Sequence, residues 1–143
     1  MQFHSKRFDD LNTRELYEIL RARESIFLLE QRIVCQDLDR ADYDALHCFI
    51  EEDGTLLAYL RAYRTEEGEI KIDRVLSLTH GVGHGSLLMK KAIPAIEAAF
   101  SCPKIIVHAQ KHAQGFYESH GFAVTSPDFL EEGVVHVGMA LAL

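Results

Sequence analysis

A chain of 143 residues, 48% hydrophobic and 26% charged, is long enough to bury a real core within one domain spanning residues 1–143. Its net charge of −7 argues against bulk nucleic-acid binding. No apolar run approaches the ~20 residues of a membrane span, and Met1–Asp10 is too mixed and polar for a signal peptide.

In chain order, Gln2 to Phe8 reads as a first strand. Asn12-Thr13-Arg14-Glu15 carries a capping-box pattern, and Leu16, Ile19, Leu20, Arg23 and Phe27 then share one helical face, which predicts a helix to about Glu30. Gln31 to Asp44, with Asp37 and Asp39, reads as an acidic loop of solvated charge. Leu46–Glu51 and Leu56–Arg64 are strand-like and flank Asp53-Gly54, a strong hairpin signal. Glu66-Glu67-Gly68 turns the chain into a further strand, Glu69–Leu76, so three strands form an antiparallel meander.

Next comes His80-Gly81-Val82-Gly83-His84-Gly85-Ser86, which opens a helix reaching about Phe100 that Pro94 should kink or divide. A glycine loop between a strand and a helix exposes backbone N–H groups at the positive end of the helix dipole, which suits a diphosphate. Pro103–His108 reads as a strand, and Ala113–His120 as a short helix closed by Gly121. Phe122–Thr125 and Val134–Ala142 supply the last strands. The order β-α-β-β-β-α-β-α-β-β predicts a single α+β domain. Cys35, Cys48 and Cys102 lack any metal-ligand spacing, so they read as free thiols in a reducing cytoplasm, with no metal site.

Two motifs carry the functional reading. His80–Gly85 aligns with the Gln/Arg-x-x-Gly-x-Gly/Ala cofactor signature, and Gln110, Ala113, Phe116-Tyr117 and Gly121-Phe122 match a second block; together they resemble the GNAT superfamily of N-acetyltransferases. Arg23–Gln31, Gln36–Asp39, His47, Ala109-Gln110 and His136–Ala140 are similar to the ElaA-like branch, so the resemblance spans nearly the whole chain. The resemblance implies the GNAT fold: a mixed, mainly antiparallel sheet of six to seven strands with helices on both faces and strands 4 and 5 splayed. It also implies acetyl-CoA as cosubstrate and no metal. The acceptor would be a primary amine, in a small molecule, peptide or protein, and a homodimer is a further expectation.

The resemblance places His80, Gly81, Val82, Gly83, His84, Gly85 and Ser86 at the cofactor, with Gln110, Ala113, Phe116 and Tyr117 beside it. His80 stands where Arg or Gln is usual. The backbone amide of Val75 or Leu76 is the expected donor to the thioester oxygen, a contribution of roughly 2.7–4 kcal/mol in comparable sites. Tyr117 matches the general acid that protonates the departing thiolate; a phenol of pKa ~10 holds its proton at pH 7. For the base, Glu69 occupies the place of a catalytic glutamate elsewhere in the superfamily, with His136 and His47 as alternatives. Glu30, Gln31, His47 and His136 are the expected acceptor-side residues, and His108 and His112 would approach the cofactor by backbone alone. A non-catalytic acyl-CoA-binding or sensing module on the same fold is the alternative, prompted by His80. Cysteine-based acyl-enzyme chemistry is set aside because no cysteine lies in either motif.

Overall fold

Asp53 and Gly54 both take left-handed backbone angles, φ 52° and 79°. That is the two-residue turn whose twist matches the flanking strands, and it joins β2 (Leu46–Glu52) to β3 (Thr55–Arg64). The computed structural model describes all 143 residues. Its other strands are β1 (Gln2–Arg7), β4 (Ile70–Ser77), β5 (Lys104–Gln110), β6 (Ala123–Glu131) and β7 (Val134–Ala142). They form one seven-stranded sheet in the order β1-β2-β3-β4-β5-β7-β6. Only β4 and β5 run parallel, because the helix between them returns the chain to the same edge. The seven strands and their order along the chain agree with the sequence reading. β6 is longer than expected, running on to Glu131, because Glu132 and Gly133 make a second left-handed hairpin turn at φ 51° and 75°.

Helices cover both faces. On one, α1 (Thr13–Arg23) starts at a complete capping box: Glu15 N–H donates to Asn12 Oδ1 at 2.7 Å and Asn12 N–H to Glu15 Oε1 at 2.9 Å. Its Ile19 and Ala22 pack with Ile26 on Phe49, Leu56, Tyr59 and Leu76. The expected continuous α-helix to Glu30 is corrected: beyond Arg23 the chain winds as a π-helix, Glu24–Glu30. Residues Ile26 and Phe27 still point at the sheet, so periodicity over two turns does not separate the two windings.

On the other face lies α2 (His84–Phe100), whose Leu88, Met89, Ala92 and Ile96 are fully buried against Cys48, Leu60, Ala62 and Ile72. Truncating Leu88 to Ala at such a site costs about 2–5 kcal/mol. α2 runs through Pro94 without ending. Pro94 is exposed, so the Lys90 carbonyl it leaves unpaired can be hydrated. The short α3 (Gln114–Glu118) follows a 3-10 turn at Lys111–Ala113.

A bulge in β4 sets the site. Ile70 and Ile72 face α2, and strict alternation would send residue 76 the same way. Instead Leu76 packs on the α1 face and Val75 on the α2 face. Between Arg61↔Asp73 and Tyr59↔Leu76, the register with β3 gains an extra residue, and Arg74 takes φ 52°. Such a bulge re-aims side chains and frees main-chain groups from the ladder.

Candidate active site

β4 and β5 pair over only three residues, Ile70–Ile72 against Ile105–Val107. Beyond them the strands part around a cleft of about 360 Å³. One wall is Asp73–Ser77 of β4. The other is Val107, His108 and Gln110 of β5 with Ala113, Phe116 and Tyr117 behind it, and the first turn of α2 meets the cleft at Gly85.

At that turn the chain offers main-chain donors. Gly81 and Gly83 take φ 77° and 83°, which only glycine adopts without strain, and nothing lies within 4 Å of where a Cβ would stand on either. The first helix bond is Leu87 N–H to the Gly83 carbonyl at 3.1 Å, and no amide from Gly81 to Ser86 donates to a protein acceptor. Six unpaired N–H groups at the start of a 17-residue helix fit a diphosphate well. The side chains of this loop play other parts. His80 is exposed and donates from Nε2 to both Glu30 oxygens, at 2.9 and 3.1 Å. Ser86 Oγ lies 3.1 Å from His120 Nε2. His84 buries an Nδ1 that has no partner, and Val82 is exposed.

Tyr117 is 6% exposed, packed edge-on to Phe116 and Phe122. Its hydroxyl makes no protein hydrogen bond, yet it is not among the sealed, partnerless atoms, so it keeps access to the cleft it lines. Burial, reinforced by the charge of Asp73, pushes its pKa up. The phenol therefore stays protonated across the physiological range. Opposite it, Arg74 and Val75 have no partner in the register of either neighbouring strand, whereas Leu76 keeps its place opposite Tyr59.

The sequence-derived acceptor and base residues separate into those at the cleft and those away from it. Gln31 lines the cleft, and its Oε1 accepts from Gln110 Nε2 at 2.9 Å; Gln110 Oε1 in turn takes His112 Nε2 at 2.7 Å. Glu30 sits beside it, held by His80. His136 also lines the cleft. Two expectations need correction. His47 is fully buried under α1: Nε2–H donates to the Asp42 carbonyl at 2.9 Å and Nδ1 accepts from the Tyr59 hydroxyl at 2.7 Å. Burial lowers its pKa, and with both nitrogens engaged it is a core residue, neither a base nor an acceptor contact. Glu69 precedes β4 at the closed end of the β4–β5 junction, where it pairs with Lys104 at 3.1 Å, and it is no part of the cleft.

The Asp37 and Asp39 charges, although partly exposed, are paired rather than left to solvent. Buried Arg23 binds Asp37 at 3.0 Å and Asp42 at 2.7 Å. Buried Arg61 is bidentate to Asp39, at 2.8 Å for both bonds, and to Asp73, at 2.6 and 3.0 Å, and also reaches Asp42 at 3.0 Å. Arg74 adds Asp37 at 2.7 Å. Burial alone would raise Asp39, but the Arg61 bonds and charge, with Arg74, bring its pKa down to about 2. This network staples the loop after the π-helix to the β4 bulge.

His108, Glu131 and Cys35 are among the cleft residues that the sequence reading did not place there by their side chains. His108 faces the cleft with its side chain, not by backbone alone, and its Nδ1 lies 2.8 Å from Glu131 Oε1. Glu131 comes from the β6–β7 hairpin; the Glu132-Gly133 turn signal ahead of His136 would have found it. Cys35 also lines the cleft, although it lies in neither motif; burial and the nearby Glu132 raise its thiol pKa, which disfavours the nucleophilic thiolate. No group of three or more His, Cys, Asp or Glu side chains is arranged to hold a metal ion.

Comparison with known proteins agrees with this geometry. Residues 28–143 match the family model described as an acetyltransferase (GNAT) domain. An acyl-CoA N-acyltransferase from Pseudomonas aeruginosa superposes with a TM-score of 0.91 at 34% identity, over 99% of this chain and 100% of that one. A parted β4–β5 pair with a bare glycine turn at its mouth is thus the frame of an acyltransferase, and the chain belongs to the GNAT acetyltransferase family. Within that family it stands with the ElaA and UPF0039 proteins. Protein ElaA of Escherichia coli is 30% identical over 137 aligned residues, 92% of this chain and 90% of that one, and its crystal structure superposes with a TM-score of 0.90, covering 98% of each chain. A UPF0039 protein of Schizosaccharomyces pombe is 32% identical over 147 aligned residues, 100% of this chain and 98% of that one.

Proposed function

We propose that the protein moves an acetyl group from acetyl-CoA to a primary amine by direct attack in a ternary complex. The observation that supports this reading is the turn of acceptor-free amides at Gly81–Ser86, which meets the cleft at Gly85, together with the unpartnered hydroxyl of Tyr117 in the cleft wall. When bound, the cosubstrate supplies an acyl thioester whose C–S bond breaks as the new C–N bond forms. The amides of residues 81–86 hold its diphosphate. The N–H of Val75, which has no partner in the register of either neighbouring strand, donates to the carbonyl oxygen as negative charge develops there.

Of the three candidate bases, His136 is the one in the cleft. Its Nδ1–H donates to the Val134 carbonyl at 2.7 Å, which fixes the tautomer and leaves a lone pair on Nε2. Nε2 takes the first proton of the incoming ammonium. Tyr117 gives its hydroxyl proton to the sulfur and recovers one from the attacking nitrogen, so one proton leaves through His136 per turnover. We place the enzyme in the cytoplasm, on its three free thiols; no helix is long and apolar enough to cross a membrane.

Purified protein with acetyl-CoA and a panel of primary amines tests the proposal through amine-dependent release of free CoA thiol and the mass of the acetylated product. Saturable binding of acetyl-CoA without turnover of any amine would replace it with a sensing module.

A further inference from the structure

The far end of the cleft from the glycine turn carries a charge pattern that bears on the acceptor. Four carboxylates line the cleft, Asp37, Asp73, Glu131 and Glu132, against one arginine, Arg74. Asp37 and Asp73 are matched by the buried arginines behind them. Glu131 and Glu132 have no lysine or arginine within 4 Å: Glu131 meets only His108, at 2.8 Å, and His136, and Glu132 meets nothing. Lys71 approaches the Nδ1 of His108 at 3.3 Å, not the carboxylates.

The geometry between Glu131 and His136 is informative. Glu131 Oε2 lies 3.6 Å from His136 Nε2, too far for a direct hydrogen bond. With Nδ1–H committed to Val134, Nε2 presents a lone pair. A carboxylate oxygen and an imidazole lone pair are both acceptors, so a group with two hydrogens to give can bridge them: a water, or the ammonium that displaces it. The imidazole is held in place by burial at 6% exposure and by stacking on Phe129, 6.0 Å between ring centroids. The other carboxylate oxygen is held by His108, whose Nδ1–H donates to it.

We infer that Glu131 anchors the acceptor as an alkylammonium ion beside His136, and that the acceptor carries no carboxylate near the reacting nitrogen: a diamine or the side chain of a lysine. This rests on the transferase reading above. The ammonium bridges Glu131 Oε2 and His136 Nε2, and His136 then takes the proton that frees the nitrogen for attack. An acceptor with its own carboxylate would bring a negative charge against Glu131 and Glu132, and the field of an acidic chain opposes its approach.

The test compares kcat/KM for 1,4-diaminobutane, for a capped lysine tripeptide, and for 4-aminobutyrate, with wild-type protein and Glu131→Gln. Glu131 is partly exposed at a hairpin end, so Glu131→Gln is expected to fold and to keep the KM for acetyl-CoA. The expected result is a preference of at least about tenfold for one or both cationic acceptors over 4-aminobutyrate, falling most of the way to unity in Glu131→Gln. Which cationic arm reacts tells a free amine from a lysine side chain. Equal or better use of 4-aminobutyrate by wild type, or an unchanged preference in Glu131→Gln, overturns the inference and leaves the transferase standing. Turnover of another primary amine but of none of these three overturns the inference alone; binding of acetyl-CoA with no turnover of any amine overturns both.

Discussion

The two ends of the cleft are built from different materials. At the glycine end the free groups are main-chain: amides 81–86 are bare, while the neighbouring side chains of His80, Ser86 and His84 are paired elsewhere or sealed. At the other end, the proposed acceptor site, they are side chains, Glu131, His108 and His136, beside a loop clamped by Arg23 and Arg61. A main-chain site needs only a turn of the right shape, which glycine spacing encodes locally. A side-chain site needs groups from three strands brought into register, and its specificity can change without disturbing the other end.

That contrast can be broken in order of effect. Tyr117→Phe removes the proposed proton donor; kcat should fall about 10²–10⁴-fold with acetyl-CoA affinity and melting temperature near wild type, since the hydroxyl has no protein partner. An unchanged kcat removes Tyr117 from the acid role. Arg61→Met leaves Asp42 to Arg23 and Asp39 and Asp73 to the longer contacts of Arg74, and should cost about 3–5 kcal/mol in urea unfolding. Unaltered stability would mean that the carboxylates find water instead. Gly83→Val forces a branched side chain into left-handed backbone at a strain of about 1–3 kcal/mol. Losing two or so amide bonds to a diphosphate should also weaken acetyl-CoA about a hundredfold, measured by calorimetry, while selectivity among amines stays as it was.

Acid should act on the clamped loop in a defined window. Asp39 has a folded pKa of about 2, below the ~3.9 of an unfolded aspartate. Asp42 is also lowered; its burial opposes ionisation, but Arg23 and Arg61 outweigh it. Their contribution is complete above about pH 4 and is lost as pH falls through the folded values toward about 2. Chemical denaturation across that range should follow this course, and a loss centred near pH 6 would point to histidine instead. Smallest of all, Glu69→Gln should leave kcat unchanged and cost under about 1 kcal/mol, as a surface ion pair does; a collapse of turnover would restore it as the base.

What the sequence made legible follows the same division. The glycine alternation, the capping box at Asn12, the Asp53-Gly54 turn and the seven strands are local signals, and they led to the right architecture. The bulge at Arg74-Val75 flips the facing of β4 midway, so alternation counted from Ile70 misassigns every later residue. His47 looked like a site residue because a polar side chain on an apolar strand has two explanations, and only the Tyr59 and Asp42 partners choose between them. Asp37 and Asp39 read as solvated because their arginines sit on α1 and β3, distant in sequence. Glu131 was hidden by a strand taken to end at Thr125.

The most direct measurement is calorimetric titration of the pure protein with acetyl-CoA, repeated on Gly83→Val. Saturable one-to-one binding by the wild type, sharply weakened in the variant, is the expected result. No saturation by the wild type at millimolar cosubstrate, or equal binding by both proteins, contradicts a main-chain grip on the diphosphate.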